Sequence, residues 1–261
     1  MRIGLDIMGG DNAPGANLLG AYLASKKLDN NEKVVLVGDT ELANHWFSSN
    51  NIDSSLFDFI HASEVIHMNE HATKALRKKP NNSISVGFKA LKNKEIDVFS
   101  SSGNSGAMLV GSMFSIGPVK GVIRPGITSV LPKENGGVGL ILDVGVNADC
   151  KPDVLFQFAI LGSLFAENVY NIKTPKVGLL NIGEEKGKGN LLTQATYQLL
   201  EDNDDINFIG NVEGRDLFND KADVVVCDGF TGNVVLKLAE SFYSIISKKN
   251  LSDSYFNRFN Y

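Results

Sequence analysis

Cysteine is nearly absent: the 261 residues contain two, Cys150 and Cys227, with neither metal-ligand spacing nor the density of a disulfide framework. A reducing compartment, the cytoplasm, is the expected home. Arginine is scarce too, with 5 against 20 lysines, and the 25 basic residues are outnumbered by 30 acidic ones for a net charge of −5. That balance excludes a general nucleic-acid binder, which would carry a basic surplus. Long apolar runs are missing. The longest uncharged stretch, residues 98–119, holds four Gly, six Ser and one Asn in its 22 residues, too polar for a spanning helix. Asp6 breaks the apolar core that an export signal would need. What is present is an ordinary soluble composition, 43% hydrophobic and 21% charged, in a chain long enough for a sizeable core. No repeat, low-complexity tract or linker interrupts it, and a single domain over residues 1–261 is expected.

Short apolar runs alternate with helical patterns. Strands are expected at residues 2–8, 33–37, 57–61, 97–101, 139–144, 176–182, 206–209 and 222–227. Helices are expected at 14–28, 40–48, 84–93, 105–116, 152–169, 191–201 and 233–248. Runs such as Val34-Val35-Leu36-Val37 and Val224-Val225-Val226 are apolar on both faces, which suits a parallel sheet covered by helices on both sides. The alternation predicts an α/β protein, a three-layer α/β/α sandwich with a Rossmann-like, doubly wound, mostly parallel sheet. One stretch departs from the pattern: residues 124–142 read as two extended segments joined by a turn.

Almost every expected strand runs into a glycine-rich polar cluster. Asp6 precedes Gly9-Gly10-Asp11, and Ser101 leads into Ser102-Gly103-Asn104-Ser105-Gly106. Asp143 is followed by Gly145 and Asn147, Asn181 by Gly183, Ile209 by Gly210-Asn211, and Cys227 by Asp228-Gly229. In one parallel sheet these ends would share an edge, where doubly wound folds bind ligands. Glycine admits close backbone approach and the next helix start offers unpaired N–H groups, so phosphate is the favoured ligand.

Several near-motifs fail. Residues 183–189, Gly-Glu-Glu-Lys-Gly-Lys-Gly, look like a P-loop, but three residues rather than four separate the outer glycines, and Gly189 stands where Ser or Thr would hold Mg²⁺. No G-x-G-x-x-G follows the first strand. His67-Met68-Asn69-Glu70-His71 matches a zinc pattern, but its flanks read as a solvated loop, and no metal is expected. Cys227 reads as core filler, and no histidine is placed to activate Cys150, so a covalent mechanism lacks support. Asp6, Asp11, Asp143 and Asp228 suit either a metal or helix caps and loop braces, the second being favoured.

Taken together, the clusters carry a resemblance. Asp6-Ile7-Met8-Gly9-Gly10-Asp11-Asn12-Ala13-Pro14, Ser102-Gly103-Asn104-Ser105-Gly106-Ala107 and Leu142-Asp143-Val144-Gly145-Val146-Asn147 are followed by residues 178–190, residues 208–213 and Asp228-Gly229-Phe230-Thr231-Gly232-Asn233. As a set they resemble the bacterial phosphate acyltransferase of phospholipid synthesis, the PlsX family, from Met1 to about Leu238. The resemblance implies a reversible reaction in which acyl-[acyl carrier protein] and inorganic phosphate give acyl phosphate and free carrier protein. It also implies a cytoplasmic homodimer with a fold similar to isopropylmalate dehydrogenase and phosphotransacetylase. Family members continue after the Asn233 helix through a longer helical hairpin associated with membrane contact, then a Tyr-Gly-Gly segment and a final strand and helix. Here the stretch 247–254 is short and the chain stops at Asn260-Tyr261, so the family's C-terminal part is expected to be missing and peripheral membrane contact weakened.

The residues suit that chemistry. Phosphate is a nucleophile near neutral pH, so no Ser or Cys nucleophile and no cofactor is needed. The task is to hold the anion in line with a thioester carbonyl and to stabilise the oxyanion. Backbone N–H groups of residues 102–107 and 231–233, at expected helix starts, suit the phosphate. The binding set is Asp6, Gly9, Gly10, Asp11, Ser102, Gly103, Asn104, Ser105, Gly106, Asp143, Asp228, Thr231 and Gly232. Asn104 would cap its helix, and Gly103 would need a close approach or a positive φ that a side chain forbids. Lys188 or Lys186 would neutralise the developing charge, and Asn181 or Asn233 would donate to it. An acidic carrier protein needs a basic surface. Between Lys74 and Lys94 seven basic residues stand without an acid, and Lys74, Arg77, Lys78 and Lys79 form the expected docking patch. The alternatives are an acyl-CoA-dependent phosphotransacylase, a metal- and NAD-dependent decarboxylating dehydrogenase, and a non-catalytic phosphate- or partner-binding module.

Overall fold

A computed structural model describes residues 1–248. The expectations placed on residues 249–261, including most of the shortened 247–254 stretch, lie outside the described residues. The chain forms two compact units, Met1–Val119 and a second beginning at Lys120, with Gly117, Pro118 and Gly121 around the boundary where the sequence reads as one domain without a linker.

The first unit is built as β1 (Arg2–Asp6), α1 (Gly15–Ser25), β2 (Lys33–Gly38), α2 (Thr40–Ser49), β3 (Asp58–His61), α3 (Ala72–Lys78), α4 (Ser83–Lys92), β4 (Val98–Ser100) and α5 (Ser105–Ser115). Its four strands are parallel, in the order β3-β2-β1-β4. The two-sided apolar run of β2 is used on both faces. Val34 and Leu36 pack with Leu18, Ala43 and Phe47 of α1 and α2, while Val35 packs with Ala90 of α4 and Ile96. Side-chain caps set the helix starts: Asp39 accepts from the Glu41 and Leu42 N–H groups, and Asn82 from Ser85. Helix α3 is missing from the expected helices, although the spacing of Lys74, Arg77 and Lys78 at i, i+3 and i+4 is helical. It has seven residues and a single buried one, Ala75, too few for an apolar period to show.

The second unit runs β5 (Thr128–Pro132), β6 (Val138–Leu142), α6 (Pro152–Tyr170), β7 (Lys176–Leu180), α7 (Leu191–Glu201), β8 (Asn207–Val212), β9 (Val224–Val226) and α8 (Gly229–Lys248). The strand order is β5-β6-β9-β7-β8. All pairs are parallel except β5–β6, the antiparallel turn expected from residues 124–142. Leu140, Leu142, Val224 and Val226 face α6 and α7, with Phe158 and Leu200; Ile141 and Val225 face the other side, where Val235 and Leu236 of α8 pack. Each unit is thus a mostly parallel sheet between helices, the α/β/α layering expected. The sheet is not one, however. The glycine-rich clusters divide between two sheets, because a two-faced apolar run says that a strand is central and not which strand lies beside it.

Helix α8 begins four residues earlier than expected. Asp228 caps it, accepting from the Thr231 N–H at 2.9 Å and the Thr231 hydroxyl at 2.8 Å.

Candidate functional site

In the first unit, β1 and β4 deliver Asp6 and Ser101 side by side. Asp6 is buried; its Oδ2 accepts from Ser101 Oγ at 2.6 Å and its Oδ1 from the Met8 N–H at 2.9 Å. Ser101 Oγ in turn accepts from the Gly103 N–H at 2.9 Å. Asp6 therefore braces both loops and leaves the ligand surface to others. Gly103 does not take a positive φ. What excludes a side chain is Gly9, whose own Cβ, if present, would stand 2.6 Å from the Gly103 nitrogen. Gly10 and Asp11 border a cavity of about 310 Å³ with Met8, His67 and Met68.

Asn104 caps α5 as expected, accepting from Ala107 N–H at 3.0 Å. Its amide also donates to the carbonyls of His67, Met68 and Glu70 at 3.2, 3.2 and 3.0 Å, so one side chain shapes the helix start and holds the 67–70 loop. The N–H groups of Ser105 and Gly106 find no internal partner among the described residues, and Ser102, Ser105 and Gly106 are exposed. This helix start is open to an anion. The zinc reading has a competitor in plain view: Glu70 pairs with Lys79 at 2.6 Å and accepts from the His67 N–H, contacts that hold its carboxyl below the usual carboxylate range.

In the second unit, Asp143 is fully buried at the end of β6. It accepts from Ile127 N–H at 2.9 Å and from the Asn147 N–H and side-chain amide at 2.7 and 2.8 Å, a loop brace like Asp6. Gly232 packs directly against the Asp143 carbonyl. The expected phosphate donors at Thr231–Asn233 are corrected here. The Thr231 N–H is taken by the Asp228 carboxylate and the Gly232 N–H by the Asp228 carbonyl at 3.0 Å, so neither of these two donors is free for an anion. Asn233 is exposed beside Gly145, with no hydrogen-bond partner for its side chain among the described residues.

The loop 183–189 after β7 is held from below by two asparagines. Asn181 donates to the Lys188 carbonyl and to Asn211 Oδ1, both at 3.1 Å, and buried Asn211 donates to the Glu185 carbonyl at 2.9 Å. Asn181 is thereby a positioning residue, its amide engaged by the loop. Asn211, in the Gly210-Asn211 cluster, was not among the expected site residues; a buried asparagine at a strand end next to a glycine was its signal. Gly189 turns the loop with φ +94°, and a Cβ there would lie 2.1 Å from Thr193 Oγ1, so only glycine fits. Below this turn, Asn181, Asn190, Thr193, Asp228 and Thr231 meet Leu155 and Leu180 around a cleft of about 440 Å³.

The cations of this neighbourhood sort themselves. Lys186 is bound to Glu201 on α7, a contact that raises its pKa; Lys221 bridges Glu184 and Asp216 at 2.7 and 3.0 Å; Arg215 pairs with Glu213 at 2.7 Å. Among the described residues the Lys188 ammonium has no partner, and its stem lies against Gly183. Lys186 thus stands in an exposed pair, whereas Lys188 stands outside one. Both thiols are poor nucleophiles: burial, then the charges of Asp143 and Asp228, push Cys150 up to about 11, and burial raises Cys227 further.

The sequence itself matches the family described as "Fatty acid synthesis protein" over residues 1–254. It is 47% identical over 240 residues to a phosphate acyltransferase of Dictyoglomus thermophilum, covering 92% of this chain and 71% of that protein. The chain belongs to the phosphate acyltransferase family. A second relative, from Geotalea daltonii, is 45% identical over 247 residues, 95% of this chain and 70% of the relative. Among solved structures, a phosphotransacetylase from Streptococcus pyogenes superimposes with a TM-score of 0.69 at 14% identity, covering 94% of this chain and 82% of that one. A branched-chain phosphotransacylase from Enterococcus faecalis V583 gives 0.63 at 15%, covering 93% and 85%. These two show the fold. On the basic segment, Lys74, Arg77 and Lys78 are exposed on or at the end of α3 without a partner among the described residues. Lys79 is not part of that surface: it is held by Glu70 and by the Val65 carbonyl at 2.7 Å. No described helix is long and apolar enough to cross a membrane.

Proposed function

We propose that the chain transfers an acyl group from the thioester of acyl carrier protein to inorganic phosphate. A phosphate oxygen attacks the thioester carbonyl, the tetrahedral intermediate collapses with cleavage of the C–S bond, and the thiolate takes up a proton to leave free carrier protein and acyl phosphate. The single observation that carries the reading is Lys188: an unpaired ammonium on a pinned glycine loop, in a family of phosphate acyltransferases, where each neighbouring cation is already paired.

Negative charge develops on the carbonyl oxygen in this reaction, and in the second unit the Lys188 ammonium serves it, with Asn233 as donor. Taken by itself, the first unit offers an anion site at the open N–H groups of Ser105 and Gly106, with Gly9, Gly10 and Ser102 bordering them and Asp6, Gly103 and Asn104 shaping the loop. Asn181, Asn211, Asp143, Asp228, Thr231 and Gly232 hold the loops in place. With both thiols kept protonated, phosphate itself is the nucleophile. Lys74, Arg77 and Lys78 steer the acidic carrier protein. We further take the enzyme to be a cytoplasmic homodimer that works at the inner face of the membrane.

The test is phosphate-dependent thioester cleavage with two donors. Faster cleavage of acyl-[acyl carrier protein] than of the matching acyl-CoA is expected. Equal or faster use of acyl-CoA overturns the donor assignment, and binding of phosphate without cleavage of either leaves a binding module.

A further inference from the structure

Lys188 stands between two glycines, Gly187 and Gly189, the residue type that resists backbone rotation least. Nothing lies within 4 Å of where a Cβ on Gly187 would stand, so packing does not hold that residue either. An ammonium carried on such a backbone samples many directions unless hydrogen bonds fix the chain beneath it.

Gln194 supplies those bonds. It sits half-buried in the first turn of α7, whose start is set by Asn190 accepting from the Thr193 N–H at 2.9 Å. The Gln194 side-chain nitrogen donates to the carbonyls of Gly187 and Gly189, both at 3.0 Å. Carbonyls only accept, so the amide faces them nitrogen forward and both of its N–H groups are used. The Gly187 carbonyl belongs to the peptide plane before Lys188. The Lys188 carbonyl, held by Asn181 at 3.1 Å, belongs to the plane after it. Two amides, one from α7 and one from the end of β7, thus fix the planes on either side of the Lys188 Cα, and with them the direction in which its side chain leaves the loop. The ion pairs of Glu184 and Lys186 on the same loop are exposed and screened by salt, whereas the Gln194 contacts are uncharged.

We propose that Gln194 is a positioning residue for acyl transfer, aiming Lys188 at the developing oxyanion without itself touching substrate. The proposal rests on the acyl-transfer reading, in which Lys188 is the acting cation. A misplacement of about 1 Å costs about a hundredfold in rate, so losing both donors should lower kcat by roughly ten- to a hundredfold. A group that acts only in the transition state moves kcat and leaves the KM for phosphate alone.

The experiment is a double-mutant cycle on phosphate-dependent cleavage of acyl-[acyl carrier protein]. Gln194→Met keeps the length and helix propensity of the side chain and removes both donors. Gln194→Ala, also a good helix former, is the second variant should the first fail to fold. Each is made in the parent and in Lys188→Ala. A fall in kcat of about tenfold or more in the parent, with the KM for phosphate within about twofold and no further fall in Lys188→Ala, supports the proposal. An equal loss in both backgrounds overturns it, since Gln194 then acts on the fold and not through Lys188. A kcat within about twofold of the parent overturns it too. The two readings fail separately. A parent that cleaves no thioester, or a Lys188→Ala that turns over like the parent, sinks the Lys188 reading and the proposal resting on it. A slow Lys188→Ala beside an unimpaired Gln194→Met sinks the positioning role alone.

Discussion

Gly9 and Gly103 meet backbone to backbone, the loop after β1 lying on the loop after β4 so closely that a Cβ on Gly9 would sit 2.7 Å from the Gly103 Cα. The same test at Gly103 finds its nearest neighbours at 3.1 and 3.3 Å, Ser101 Oγ and the Gly9 Cα. The two glycines are therefore unequal. Gly9→Ala must push backbone aside and is expected to destabilise by about 1–3 kcal/mol, as overpacking does. Gly103→Ala should lose less than half as much, and both should weaken phosphate binding at the α5 start. Denaturant unfolding and phosphate titration of the two variants check this; equal stabilities would place the loops further apart than they stand here.

Lys188 and Lys186 differ by two positions and should differ widely in effect. Removing a cation that acts on transition-state charge costs about 3 kcal/mol, so Lys188→Ala should slow turnover roughly a hundredfold. Lys186→Ala loses an exposed pair with Glu201 and should stay within a few-fold of the unaltered rate. Steady-state kcat for both variants decides it, and a reversed order would move the catalytic cation to Lys186.

The α3 cations make a second pair of opposites. Arg77→Glu with Lys78→Glu should raise the KM for the carrier protein at low salt, leave the KM for phosphate alone, and do less as salt screens the surface. Lys79→Ala should instead loosen the 65–70 loop through the loss of Glu70 and Val65, lowering the melting temperature without the salt signature. Carrier-protein kinetics indifferent to the double reversal would leave this face a solvated surface.

Lys133 and Asp223 form a buried pair at 2.5 Å, joining β5 to the start of β9. Burial pushes the Asp223 carboxyl up, but the Lys133 hydrogen bond and the Lys176 N–H outweigh it and hold the carboxyl below the usual range. A depressed folded pKa stabilises above the unfolded value, about 3.9, and the contribution disappears as pH falls through the folded value. Lys133→Met should thus cost about 3 kcal/mol at neutral pH, by stranding a buried carboxylate. The gap between variant and parent should close in acid as Asp223 protonates. Urea unfolding of both proteins along a pH series reads it, and a gap independent of pH would remove Asp223 from the account.

Much of this was legible in residues 34–37 and 224–226, whose unbroken apolar runs demanded cover on both faces and received it. The caps were legible too: Asn104 was expected at the start of α5 and stands there. Asp228 shows the limit of the same logic. Its cap on Thr231 is local enough to read from Asp-Gly-Phe-Thr, yet taking residue 233 as the start of α8 left the Thr231 and Gly232 N–H groups free on paper when both are used. Partners from distant segments leave no such trace. Glu201 claims Lys186 from fifteen residues away, and Asn211 holds the 183–189 loop from the neighbouring strand. Nor does an apolar strand name its neighbour, which is why one expected sheet became two.

Strand β5 is the outer strand of its sheet, and its pairing leaves a particular side free. Lys133 donates inward to the Gly137 carbonyl, so by the alternation of an antiparallel ladder Val130 and Pro132 direct their backbone groups outward. Proline has no N–H to offer there. A foreign strand laid along β5 would lose a rung of its ladder beside Val130, where the edge is most apolar. The protein can thus keep greasy surface next to an unprotected sheet margin without inviting fibrous self-association, and Pro132 is the gatekeeper whose replacement should first be felt as turbidity in concentrated solution.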